Sequence, residues 1–126
     1  MTKEIINSDQ APEPIGPYSQ AVKANQFLFV SGQVAIDRST GKLHTENIAA
    51  ETAQVMQNLE TILKAAGLDF SKAVKCTIFL KNMGQFAAVN EVYGKYFDAQ
   101  PPARETVEVA ALPRGVNVEI SCIAAY

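Results

Sequence analysis

Long apolar runs are absent from this chain. No stretch of its 126 residues approaches the roughly 20 consecutive apolar residues that a membrane span requires. The opening MTKEIINSDQAPEPIGP holds no apolar segment of the kind a signal peptide needs. A cytoplasmic protein that does not enter membranes is the expectation. Clustered cations are missing too. The net charge is −2, with 11 Lys and Arg scattered among 13 Asp and Glu, whereas a nucleic-acid groove needs grouped cations to displace counterions. One histidine and two distant cysteines make no metal-ligand cluster at any usual spacing. Phosphate-binding glycine loops and dinucleotide fingerprints are absent. With His44 alone in a polar loop, a Ser-His-Asp or Cys-His arrangement has no fitting nucleophile, and His44 is expected to be solvated and without a role.

What is present fits one domain, residues 1–126, of ordinary globular composition: 48% of residues are apolar and 19% charged, enough for a core without staples. Cys76 and Cys122 each sit in a β-rich apolar run and read as buried reduced thiols. PEPIGPYS is rich in proline, which forbids helix there. Ala24-Asn25 reads as a tight turn between two strands that end at Gly32, and DRSTGK as a loop. Apolar positions Ile48, Val55, Met56, Leu59, Ile62, Leu63 and Ala66 recur at steps of three and four and predict a helix from Asn47 to Ala66. Asn47 is its cap and Gly67 its left-handed stop. A strand follows at AVKCTIFL, then a second helix from Gly84 to Phe97 with Asn82 as cap, ended by Pro101-Pro102. The last fifth of the chain reads as a hairpin.

The order β-β-β-α-β-α-β-β predicts an α+β fold, a mixed sheet with both helices on one face. Yet FLFV, CTIFL and VEISCIA carry apolar residues at both strand parities, and a sheet with one wet face alternates. Helices cover only one face. A second copy of the chain is the simplest cover for the other, so an oligomer is expected.

Two charges stand out in the closing segment. Arg104 could pair with the nearby Glu105 or Glu108, or clamp a carboxylate with two parallel N–H groups. Glu119 lies between Val118 and Ile120, where a carboxylate is costly unless paired or shifted in pKa; it is either a structural partner of a cation or a group that orients water. On adjacent strands the pair could share a pocket. Tyr18, in the constrained Gly16-Pro17 turn, is a core-rim ring or a phenol over a ligand. Ser31-Gly32 marks a bulge or a close backbone approach to a ligand. Asn90 is bonded locally or braces a neighbouring loop.

Taken together, IGPYSQAV, VSGQVAID, STGKL, AAGLDFSKAVKCTIFLKN, FAAVNEVYGKYF, PPARETVEVAALP and VNVEISCIA resemble the RidA (YjgF) family of reactive-intermediate deaminases nearly end to end. The resemblance implies a chorismate-mutase-like fold, a homotrimer with clefts between subunits, and hydrolysis of 2-imino acids such as 2-iminopropanoate and 2-iminobutanoate to 2-oxo acids and ammonia, with no metal or cofactor. Residue by residue, it implies that Arg104 clamps the substrate carboxylate, that Glu119 activates water, that Tyr18 closes over the substrate, and that Ser31, Gly32, Asn90 and Thr106 complete the binding site. Two departures are visible. Many members have Ser-Cys where this chain has Glu105-Thr106, and Ser121 replaces a second acid common in the last strand. Strand alternation is expected to turn Glu105 away from Arg104. A carboxylate-binding sensor without turnover is the alternative. A translation-inhibiting endoribonuclease, also attached to the family, is opposed by the acidic balance and the lack of a basic aromatic platform.

Overall fold

A computed structural model describes residues 2–126. Six strands form the main sheet: β1 (Lys3–Ile6), β2 (Ala21–Ala24), β3 (Phe27–Gln33), β6 (Ala73–Leu80), β7 (Ala103–Glu108) and β8 (Val118–Ala125), in the order β1-β2-β3-β8-β6-β7. Every pairing is antiparallel except β6 with β7, which is parallel. A small ribbon of β4 (Ile36–Asp37) and β5 (Lys42–Leu43) carries the DRSTGK loop at its tip. Helices α1 (Ile48–Ala65) and α2 (Phe86–Gly94) pack on one face of the sheet.

Helix α1 forms where its periodicity and its caps agree. The Asn47 side chain accepts from the Ala50 N–H at 2.8 Å, a cap worth about 1 kcal/mol. At the other end Gly67 has φ 77°, and Leu68 N–H donates to the Leu63 carbonyl, ending the helix in a Schellman turn. Val55, Met56, Leu59, Ile62 and Leu63 are fully buried against Leu28, Ile78, Leu80 and Ile120 of the sheet. Each such side chain contributes roughly 1.5–3 kcal/mol by leaving water. The second helix is shorter than its periodicity predicts. Met83–Gln85 make a 3-10 turn, capped by Asn82 at Gly84 N–H, and α2 proper begins at Phe86.

The expected closing hairpin is not formed. Strands β7 and β8 do not pair, because β6 lies between them. The connection from β6 through α2 brings β7 back parallel to β6 at the sheet edge, as helical crossovers do. Register then fixes the faces. Arg104 stands opposite Cys76, which stands opposite Cys122, so all three share the helix-covered face. Glu119 stands opposite Phe79, three residues from Cys76 and therefore on the other face. Both cysteines are free and buried, as expected.

The helix-free face carries Ile5, Phe27, Phe29 and Val107, which are 53%, 44%, 46% and 39% exposed. Both parities of the strands are thus apolar, with one set open to water.

One buried carboxylate escaped the sequence reading. Glu51, in the first turn of α1, is fully buried. It accepts from Asn117 N–H at 2.7 Å, Asn117 Nδ2 at 2.8 Å and Val118 N–H at 3.2 Å. The bonds tie α1 to the start of β8 and set where that strand begins. Glu51→Ala leaves buried donors unmatched, and the loss expected is about 3 kcal/mol of unfolding free energy. Urea denaturation checks it, with Glu51→Gln, which keeps one acceptor oxygen, losing less.

Candidate functional site

The sequence-predicted residues fall into two groups on opposite faces of the sheet. The first lines a cleft of about 380 Å³ and includes Tyr18, Ser31, Gly32 and Glu119, together with Pro113 and Arg114. One wall is the 12–20 segment. Gln20, buried, holds it by donating to the Ser8 and Pro12 carbonyls and accepting from Ser8 N–H. Tyr18 is half exposed, and its hydroxyl accepts from Ile15 N–H at 3.4 Å. The Ser31 hydroxyl donates its only proton to the Ser19 carbonyl at 2.6 Å, so it offers the cleft an acceptor.

Gly32 lies where the β3–β8 register shifts, between Val30 and Gln33. A Cβ added there would sit 2.9 Å from Glu119 Cδ. The glycine is therefore the seat of the carboxylate, at the bulge that one reading of Ser31-Gly32 expected. Glu119 is half buried and makes no hydrogen bond or ion pair with another described residue. Burial raises its pKa above the ordinary glutamate value.

The second group surrounds Arg104 on the helix face. Arg104 Nη1 donates to Asn90 Oδ1 at 2.6 Å. The guanidinium carbon lies 5.1 Å from the Tyr93 ring centre and 5.5 Å from that of Phe86, within cation–π range of both. Asn90 and these two rings hold the guanidinium from α2. Neither suspected acid partner touches it. Glu105 turns to the opposite face, as strand alternation predicts, and bonds Thr77 and Lys75. Glu108 accepts from Met83 N–H.

Polar groups around Arg104 are left without good partners. Thr106 Oγ1 is buried and unpartnered among the described residues. The Tyr93 hydroxyl has only the Cys76 thiol beside it, a weak partner, and burial pushes both groups' pKa values up. Such orphans call for a partner, which water, a ligand or a neighbouring chain can supply.

Within one chain, then, Arg104 and Glu119 do not share a pocket. His44, expected to be merely solvated, is half exposed and bonded to Asp37 at 2.9 Å and close to Glu46 at 3.5 Å, and its pKa is raised chiefly by the Asp37 bond. It lines neither group. Arg114 escaped the sequence reading because an arginine before a glycine reads as an ordinary turn residue. Among the described residues no group of three or more His, Cys, Asp or Glu is placed to hold a metal ion, and no helix is long and apolar enough to cross a membrane.

Fold and site together define the class, a two-layer α+β protein with the RidA/YjgF fold and a carboxylate-bearing cleft. The chain belongs to the RidA (YjgF) family: the family model described as Endoribonuclease L-PSP matches residues 8–126. Protein DfrA of Myxococcus xanthus is 54% identical over 98% of this chain and 96% of its own. The 2-iminobutanoate/2-iminopropanoate deaminase of Mus musculus is 48% identical over 97% of this chain and 90% of its own. Among solved structures, the conserved Rid-family protein YyfA of Yersinia pestis superposes with a TM-score of 0.96 at 44% identity, covering 99% of this chain and 100% of that one. E. coli TdcF with bound serine gives 0.93 at 36% identity, covering 98% of both chains.

The bare setting of Glu119 has a measurable consequence. Its folded pKa lies above the unfolded one, so between the two values the folded state binds more protons and stability falls as pH rises. Glu119→Gln is therefore expected to be more stable than the parent at neutral pH. The gain should shrink to nothing as pH falls below the ordinary glutamate range, read by urea denaturation across pH.

Proposed function

We propose that this protein hydrolyses 2-imino acids to 2-oxo acids and ammonia, in clefts completed by a second copy of the chain. The single observation that carries the reading is the pairing of two uncommitted groups: an arginine pre-positioned by Asn90 and two aromatic rings, and a partnerless carboxylate seated on Gly32. The relative named as a 2-iminobutanoate/2-iminopropanoate deaminase, nearly half identical over almost the whole chain, supports it.

The chemistry asks for little more. The substrate carboxylate needs a permanent cation, and the free edge of the Arg104 guanidinium supplies it, with the Thr106 hydroxyl as a further donor. Glu119 takes a proton from water as the water oxygen bonds to the imine carbon. That proton passes to nitrogen, giving the carbinolamine; its hydroxyl proton then follows by way of Glu119, the C–N bond breaks, and ammonia leaves as the C=O forms. A carboxyl with a raised pKa suits both taking and returning the proton. Because Arg104 and Glu119 point from opposite faces of one sheet, the two meet on one substrate only across an interface between copies. Arg104 lies on the edge strand, and the open apolar face around Phe27 and Phe29 is the surface a second copy covers. A homotrimer is the assembly we infer.

The test generates 2-iminobutanoate with a threonine dehydratase and traps it with semicarbazide. Less trapped imine and faster 2-oxobutanoate formation in the presence of the protein are expected, with Arg104→Ala inactive and Glu119→Gln slower by about 10²–10⁴-fold. Wild-type protein without effect sinks the reading; binding of 2-oxobutanoate without acceleration points instead to a carboxylate sensor. Arg104→Ala and Glu119→Gln chains, unfolded together and refolded as a mixture, test the shared cleft. Random assembly joins an intact Arg104 to an intact Glu119 in about a quarter of the clefts, so activity should return to about that fraction. No recovery refutes the inter-subunit site.

A further inference from the structure

The cleft that holds Glu119 has a cation of its own. Arg114 lines it, from the turn just before β8. Its backbone lies in the left-handed region, φ 58° and ψ 20°, and Gly115 follows at φ 68°. Val116 N–H donates to the Pro113 carbonyl at 3.3 Å, closing a turn whose two central residues both have positive φ. Such turns favour Asn-Gly, because asparagine tolerates this backbone and an arginine does not gain from it. An arginine kept on an unfavourable backbone beside a cleft points to a use for its guanidinium.

The other charges of the cleft leave that guanidinium free. Glu13, which also lines it, is paired with Arg38 at 3.2 Å. Glu119 makes no hydrogen bond or ion pair with a described residue, Arg114 included. Arg114 forms no ion pair with a described residue and is exposed. The cleft, about 380 Å³, thus has a cation on its wall beside the carboxylate it holds.

We propose that Arg114 is a specificity-determining residue that receives a second carboxylate, so that the cleft accepts 2-imino dicarboxylic acids. This rests on the deaminase reading above. The imine carbon lies over Glu119, the carboxylate next to it on Arg104 of the neighbouring copy, and the side-chain carboxylate on Arg114. The reaction is the same hydrolysis. Water adds to the C=N carbon, the C–N bond breaks, ammonia leaves and a 2-oxo dicarboxylate remains, with no change of oxidation state.

The experiment compares two imines. 2-Iminosuccinate is made from L-aspartate by a flavin-dependent L-aspartate oxidase with catalase present, and 2-iminobutanoate from threonine as before; semicarbazide trapping gives kcat/KM for each. The readout is the ratio of the two values, which cancels general damage to the site. Arg114→Asn, which suits the turn, is expected to lower the ratio of dicarboxylic to monocarboxylic activity at least about tenfold, the loss that follows removal of one partner of a charge-assisted hydrogen bond. Arg114→Lys should recover much of it. A ratio within about twofold of wild type in Arg114→Asn, or wild-type protein that accelerates only the monocarboxylic imine, overturns this inference and leaves the deaminase reading standing. Wild-type protein inert on both imines removes both.

Discussion

A β-strand can turn a given side chain to only one of two faces, and that constraint organises this molecule. Arg104 shares its row with Cys76 and Cys122 under the helices, and Glu119 shares its row with Phe79 on the open side. No rotamer brings one to the other through the sheet. The chain thus sets each half of the proposed pair on its own face of the sheet and leaves aromatic side chains uncovered on the open one.

Two glutamates show how the fold assigns different tasks to one functional group. Glu51 is buried more deeply than Glu119 but is held by three N–H donors from Asn117 and Val118. Three of its about four lone-pair sites are thus occupied, and it acts as a fastener. Glu119 is given no donor by any described residue; a glycine is cleared beneath it, and burial lifts its pKa. The two are linked, because Glu51 fixes the start of the strand on which Glu119 is the second residue. A structural carboxylate sets the position of the one that lines the cleft.

Helix α1 was legible in the sequence because periodicity, an Asn cap and a Gly stop all point the same way. The buried thiols, the bulge at Gly32 and the turning-away of Glu105 were legible for similar local reasons. Strand partners were not. Alternation says which way a side chain points but not which strand lies alongside, and two apolar strands joined across Pro113 look like a hairpin although β6 intervenes. Glu51 was hidden because an acid in a helix's first turn reads as a complement to the helix dipole. The aromatic support of Arg104 was half visible, since Phe86 and Tyr93 share a helix face, but only the parallel return of β7 places the guanidinium between them.

The same crossover sets the chain entropy of the two halves. Arg104 meets Asn90 across 14 residues of chain, whereas Gly32 and Glu119, in contact, are 119 − 32 = 87 residues apart. Closing the longer loop costs about 1.5 kcal/mol more. The arginine end is a local unit, assembled as soon as β6, α2 and β7 dock. The carboxylate end waits for the last strand to find the third.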